Sequence, residues 1–325
     1  MIATIMESLG LVGNHQAPTP FITRPEPGVQ QRMNLSEFYQ PGRLGLSYEL
    51  FPPKTPKGDQ MLAEQVQQLM QFAPDFITCT YGAGGSTRDK TLEILRQVQQ
   101  DCRVPVASHL TVVGSTVDQL QDYLVAARQQ GIDYIVALRG DPPAGSENFE
   151  QTVGGLQYAN ELVELVRREF GDFGILVAGY PETHREAQSP EADILNLRRK
   201  AEAGADVIVT QLFYDNGDFF RFVDRCREAG ITRPIVPGIL PVTSLKQIQR
   251  ITSMCGARLP DGFVSRLQQQ DDAEWQFNVG VEWATKQCEE MMTQGIPGIH
   301  FYVLNQSTAT LQILSNLNAE SLRGK

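Results

Sequence analysis

The chain has 325 residues, of which 41% are hydrophobic and 20% charged, with a formal net charge of −10 and a pI of about 5.0. That composition is ordinary for a globular protein, and its acidic balance excludes a body built to bind nucleic acid. No apolar run approaches the roughly 20 residues of a membrane-crossing helix, so no membrane association is expected.

Residues 1–32 are rich in Pro, Gly and Gln, lack periodicity, and carry neither the basic nor the apolar region of a secretory signal. They read as a disordered arm on a cytoplasmic protein, with Met33 opening a single domain over residues 33–325. Strand one is Leu46 to Phe51, closed by Pro52 and Pro53. A helix follows with Leu62, Val66, Leu69 and Ala73 at helical spacing. Strand two, Phe76 to Tyr81, runs into the glycine-rich turn Gly82 to Gly85. Leu92, Leu95 and Val98 mark the next helix. Strand three is Val104 to Leu110, and Thr116 with Gln119 predicts a capping box on the helix carrying Leu120, Leu124 and Ala127.

Strand four, Tyr134 to Leu138, suits burial on both faces and ends in Arg139-Gly-Asp141 and two prolines. Leu162, Leu165 and Val166 mark its helix. Strand five, Ile175 to Tyr180, leads through a polar connection to a helix with Ile194, Leu197 and Ala201. Strand six is Val207 to Phe213, followed by Phe219, Phe222, Val223 and Cys226 on a helix. Strand seven is Ile235 to Leu240, interrupted by Pro237. Leu245, Ile248 and Thr252 begin the next helix. A short extra helical excursion, about Pro260 to Gln270, precedes a helix with Val281, Ala284, Cys288 and Met291. Strand eight is Ile299 to Leu304. Eight alternations predict an α/β fold of the (β/α)8 TIM-barrel type, with the excursion before the last βα unit.

In such a barrel the strand ends bring Glu49, Thr80, His109, Arg139 with Asp141, Tyr180, Gln211 and Tyr302 to one mouth. Glu49 lies among apolar neighbours. Desolvation there would raise its pKa and suit a general acid; a salt bridge to a barrel Lys or Arg is the alternative. Asp141 suits either a polar heterocycle or a loop cap. Arg139 suits a phosphate or an ion pair with Asp141. The Gly82 turn matches neither a P-loop nor the dinucleotide fingerprint. His184 reads as a loop histidine, and Asn196, Arg199 and Lys200 share one helix face, as plain surface or as donors to a phosphorylated ligand. The five cysteines form no CxxC pair, the four histidines have no metal-ligand spacing, and no metal is expected. With no GxSxG and no strand-end lysine, the choice is acid/base chemistry with a bound cofactor, or no chemistry.

Several motifs stand in one order: Tyr48-Glu-Leu-Phe-Pro-Pro53, Thr80-Tyr-Gly82, His109-Leu-Thr111, Leu138-Arg-Gly-Asp-Pro142, Tyr180-Pro-Glu-Thr-His184, Asp193 with Asn196 and Lys200, Thr210-Gln211, Pro237-Gly-Ile-Leu-Pro241, and His300-Phe-Tyr-Val-Leu-Asn305. Over residues 45–315 this set resembles the bacterial single-domain methylenetetrahydrofolate reductases. The resemblance implies a cytoplasmic FAD enzyme, a homo-oligomer, that takes electrons from NAD(P)H. It would reduce 5,10-methylenetetrahydrofolate to 5-methyltetrahydrofolate, supplying methyl groups for methionine synthesis.

By the same resemblance Glu49 is the proton donor and Asp141 lies near the flavin pyrimidine edge and the pterin. Thr80, Tyr81, Ala83, His109, Arg139, Gly140, Asp141, Ala159, Tyr180, His184, Ala187, Asp193, Asn196, Arg199 and Lys200 form the cofactor shell. Gln211, Gln247, Tyr302 and Gln306 join Glu49 and Asp141 on the substrate side. Two positions depart from the pattern: Gln306 stands where a basic residue is frequent, and Ile251 where an aromatic packs on the substrate. A flavin-free NADH-dependent reductase and a non-catalytic folate- or flavin-binding barrel are the competing readings.

Overall fold

The computed structural model describes residues 34–80, 88–141 and 149–318. The expected arm, the glycine-rich turn with Tyr81 and Ala83, and the prolines after Asp141 lie outside the described residues. Among the described residues nine parallel strands form one sheet: β1 (Gly45–Leu50), β2 (Phe76–Cys79), β3 (Val106–Thr111), β4 (Tyr134–Leu138), β5 (Gly174–Gly179), β6 (Val207–Thr210), β7 (Ile235–Val236), β8 (Gly238–Ile239) and β9 (Gly298–Tyr302). Their order is β7-β6-β5-β4-β3-β2-β1-β9-β8. Only Pro237 separates β7 from β8, so the two halves make one stave and the ring has the eight staves expected of a TIM barrel.

Proline explains the break. It has no N–H to give a neighbour, and its carbonyl accepts from the His300 amide at 3.0 Å. The chain therefore pairs with β6 before the proline and with β9 after it.

Helices alternate with the strands and cover the ring. The predicted capping box forms: Thr116 N donates to Gln119 Oε1 at 3.0 Å, and Gln119 N donates to Thr116 Oγ1 at 3.3 Å. The excursion is the helix Asp261–Leu267. The expected helix with Val281, Ala284, Cys288 and Met291 is Ala273–Thr293. A further helix, Thr308–Asn316, follows the last strand and was not part of the sequence reading. The threonines and serine of that last helix weaken its helical signal, although Ala309, Thr310, Ile313 and Leu314 are buried.

The interior is filled from below. A 3-10 turn, Leu35–Tyr39, seals the N-terminal end, with Leu35, Phe38 and Tyr39 packed on Phe76, Tyr134, Leu176, Val207 and Val236. Phe38, Phe76 and Tyr134 meet with ring centroids 5.8–6.1 Å apart. The space left open is at the other end, where the strands finish. Among the described residues no helix is long and apolar enough to cross a membrane.

Candidate active site

Strand alternation decides which side chains enter the barrel. On β1, Ser47 and Glu49 face inward while Tyr48 and Leu50 join the layer beneath the helices. The inward residues near the strand ends enclose a cavity of about 120 Å³, lined by Glu49, Thr78, Thr80, His109, Thr111, Arg139, Gly140, Asp141, Tyr180, His184, Gln211, His300 and Tyr302, with apolar side chains below. It opens into a groove of about 550 Å³ lined by Ala159, Tyr180, His184, Glu186, Ala187, Asp193, Asn196, Arg199 and Lys200. Every described residue of the expected cofactor shell lies on one of these two walls.

Glu49 is 4% exposed, and His109 Nε2 and His300 Nε2 lie 3.1 and 3.7 Å from its Oε2. Burial alone would raise its pKa. The two imidazoles, His109 foremost, overcome that and hold it down to about 2. This corrects the expectation of a raised value: the carboxylate has imidazole neighbours where the sequence offered only apolar ones. Glu49 Oε1, Thr78 Oγ1, Thr80 Oγ1 and His109 Nε2 are buried and have no hydrogen-bond partner among the described residues. Such atoms are rare in folded proteins and mark places where a polar ligand or ordered water completes the set.

Arg139 pairs with Glu186 through two hydrogen bonds of 2.7 Å, and the Asp141 charge also acts on the guanidinium. Gly140 has φ +89°, and a Cβ there would sit 2.4 Å from Val113 Cγ1, so only glycine allows the turn that delivers Asp141 to the rim. His184 is half-buried, edge-on to Tyr180 with ring centroids 4.6 Å apart, and its amide donates to Asp193 Oδ2 at 2.9 Å. Burial and the Arg139 charge lower its pKa. Burial, then Asp141 and Asp193, push the Tyr180 phenol up, so it stays protonated.

On the helix Pro190–Glu202, Arg199 donates to Asn196 Oδ1 at 3.0 Å. Lys200 Nζ donates to the Ala178 carbonyl at 2.6 Å. Burial brings the Lys200 ammonium down to about 8, against the opposing pull of Asp193.

Gln211 lines the cavity, and its amide oxygen accepts from Leu212 N at 2.9 Å. Tyr302 lines the cavity with its hydroxyl engaged, donating across the barrel to the Thr210 carbonyl at 2.7 Å. Gln247 and Gln306 are not part of the cavity wall: Gln247 is in the first turn of the helix Leu245–Cys255, and Gln306 is exposed after β9. Ile251 is buried against a satellite core that includes Phe51, Leu212, Tyr214 and Leu240. Ser47, His300 and Glu186 were missed by the sequence reading. The signal for Ser47 and His300 was present, since each sits two residues before an inward strand-end residue.

The fold and the cavity define an α/β barrel with a buried carboxylate and a polar groove at the C-terminal mouth of its strands. Residues 34–318 match the family model described as methylenetetrahydrofolate reductase. The chain is 39% identical to 5,10-methylenetetrahydrofolate reductase of Escherichia coli (strain K12) over 277 residues, 85% of this chain and 91% of that one. It is 42% identical to the probable methylenetetrahydrofolate reductase (NADH) of Oryza sativa subsp. japonica over 287 residues, 85% of this chain but 48% of the rice protein. It thus spans about half the length of the plant relatives it matches. A solved structure of an uncharacterized protein from Clostridium thermocellum that binds two copies of 5-methyl-5,6,7,8-tetrahydrofolic acid shares the fold, with TM-score 0.57 and 13% identity over 86% of this chain and 96% of that one. The chain belongs to the methylenetetrahydrofolate reductase family.

Proposed function

We propose that this protein reduces 5,10-methylenetetrahydrofolate to 5-methyltetrahydrofolate with electrons from NAD(P)H and bound FAD, supplying methyl groups for methionine synthesis. The observation that carries the reading is the buried Glu49 carboxylate, with one oxygen unpartnered, at the floor of a cavity continuous with a long polar groove. The groove fits a flavin dinucleotide. Asn196, Arg199 and Lys200 supply amide and cationic donors for a diphosphate. Thr80, His109, Gly140 and Asp141 offer polar atoms to a flat heterocycle, and Arg139, Ala159, Tyr180, His184, Ala187 and Asp193 complete the walls. FAD held there would supply the redox chemistry that links the nicotinamide to the folate methylene.

The remaining work falls to the chain. Opening the folate ring to an electrophilic iminium leaves a nitrogen that needs a proton, and Glu49 is the group placed to pass one. Asp141 keeps a negative charge at the rim, which disfavours a second anion beside it and accepts hydrogen bonds from a pterin. Gln211 supplies a neutral amide for pterin or nicotinamide. The names of the plant relatives specify NADH, so NADH is the first donor to test.

The purified protein is expected to be yellow, to bleach anaerobically with NADH or NADPH, and to recolour on adding 5,10-methylenetetrahydrofolate. A colourless protein that neither binds FAD nor turns over overturns the reading.

Cofactor affinity also carries a pH signature. Lys200, ordinarily near 10.5, is held near 8 without a ligand. A diphosphate favours the ammonium, so binding above pH 8 requires uptake of a proton. FAD affinity is therefore expected to fall by up to about tenfold per pH unit above 8. Lys200→Met should bind more weakly at pH 7 and lose that slope, as read by flavin fluorescence titration.

A further inference from the structure

The last rung of the ladder between β1 and β9 pairs Glu49 with Tyr302, two residues of the cavity wall. Beyond Leu50 and Tyr302 neither chain continues as strand, and a side chain takes over the pairing. Asn305 Nδ2 donates to the Phe51 carbonyl at 2.7 Å, and Phe51 N donates to Asn305 Oδ1 at 2.9 Å. One amide thus supplies both bonds of a backbone rung. We infer that Asn305 is a positioning residue for the reduction: it keeps the end of β1 against β9 and so aims the Glu49 carboxylate at the folate, an inference that rests on the folate-reductase reading above.

Distances decide that the clamp, more than the ladder, holds this end. The bond from Val303 N to the Glu49 carbonyl is 3.4 Å, long for an N–H···O contact. Both Asn305 bonds are shorter. On the other flank Thr80 N donates to the Leu50 carbonyl at 3.0 Å. Glu49 therefore leads directly into a segment pinned on one side by β2 and on the other by Asn305.

The turn that delivers the amide is itself costly. Gln306 N donates to the Val303 carbonyl at 2.8 Å, closing a turn whose two central residues, Leu304 and Asn305, have φ 47° and 56°. Asn visits that left-handed region far more readily than Leu does. Strain of this kind persists only where the surroundings over-determine it. Here Leu304 packs on the satellite core that contains Phe51 and Tyr302. Ser307 is fully buried, and its N and Oγ donate to Gln65 Oε1 of the helix Pro56–Leu69 at 2.7 and 2.6 Å. Held on both sides, the turn places the Asn305 amide squarely on Phe51. A turn that served only to reverse the chain would need neither the strained leucine nor the clamp.

The test follows the two half-reactions of the flavin-loaded enzyme by anaerobic stopped flow. The proteins are wild type, Asn305→Gly, Asn305→Ala, Glu49→Gln, and Asn305→Gly combined with Glu49→Gln. Glycine keeps the left-handed turn and removes only the amide, whereas alanine removes the amide and strains the turn. Asn305→Gly is expected to lower the limiting rate of the folate half-reaction about 10- to 100-fold. The folate concentration giving half that rate, and the rate of reduction by NADH, should each change by less than about threefold. Because Asn305 acts through Glu49, adding its change to Glu49→Gln should slow the folate step by less than about threefold more. Asn305→Ala should match Asn305→Gly in both rates and melt at a lower temperature.

An unchanged folate rate in Asn305→Gly, equal slowing of both half-reactions, or weaker folate saturation at an unchanged limiting rate overturns the inference. So does the full slowing repeated on top of Glu49→Gln, or an Asn305→Gly protein that no longer holds flavin. Each of these leaves the functional reading intact. Failure of wild-type enzyme to be reoxidised by 5,10-methylenetetrahydrofolate overturns the functional reading, and this inference with it.

Discussion

Glu49→Gln is expected to slow reduction of the folate by about 10²- to 10⁴-fold while reduction of the flavin by NADH changes only a few-fold. Gln has nearly the volume of Glu, so the buried cavity keeps its shape. What disappears is the carboxyl group that can carry a proton to the nitrogen. The amide can donate a hydrogen bond to the departing nitrogen but cannot protonate it, and the ring-opening step is left uncatalysed. Hydride transfer from nicotinamide requires no proton at this position, so the first half-reaction is the internal control. Anaerobic stopped-flow measurement of each half-reaction checks the claim, and equal slowing of both would assign Glu49 to ligand binding.

A second readout comes from stability. The folded Glu49 sits near 2 and its ordinary value is 4.5. A depressed acid stabilises the fold above its ordinary value, and that contribution is lost as pH falls from about 4.5 towards 2. The variant should therefore lose part of the acid sensitivity of the wild type.

What the sequence made legible was whatever depends on period and on strand ends. Eight apolar runs with proline or glycine stops gave the staves to within a few residues. Pro237 marked the one strand that changes neighbour part-way. The strand-end list already contained Glu49, Thr80, His109, Arg139, Asp141, Tyr180, Gln211 and Tyr302, and the structure gathers all of them at one cavity. Partners across the barrel were not legible, because they depend on register between distant segments. Ser47 and His300 are 253 positions apart, and Arg139 and Glu186 are 47 apart. The Glu49 reading failed for the same reason. Its neighbours along the chain are apolar and argue for a raised pKa, whereas its neighbours in space are imidazoles and lower it. The plug Leu35–Tyr39 was missed because five residues carry no periodic signal.

Gly238→Ala is expected to destabilise the protein by about 2–3 kcal/mol or more, a drop in Tm on the order of 5–10 °C. A Cβ at this position would lie 2.2 Å from the Thr210 carbonyl oxygen, 2.7 Å from Tyr302 Cε2 and 2.9 Å from the Tyr302 hydroxyl. None of these groups can yield cheaply. The Thr210 carbonyl belongs to β6 and already accepts from Tyr302 at 2.7 Å. Gly238 N donates to Thr210 Oγ1 at 2.9 Å, which ties the two strands together at the point where Pro237 interrupts the pairing. A methyl group here must either part the strands or turn Tyr302, and turning Tyr302 moves a cavity wall that stands edge-on to His300. The substitution should therefore lower folate turnover even in the fraction that remains folded. Gly262→Ala is the control: nothing lies within 4 Å of its Cβ position, and it sits in the helix Asp261–Leu267. That change should be neutral or stabilise by up to about 1 kcal/mol through helix propensity. Thermal denaturation of both variants, with folate turnover measured well below each midpoint, separates the loss of fold from the loss of the Tyr302 wall. A Gly238→Ala protein as stable and as active as the control would mean that β6 and β9 are not clamped at this glycine.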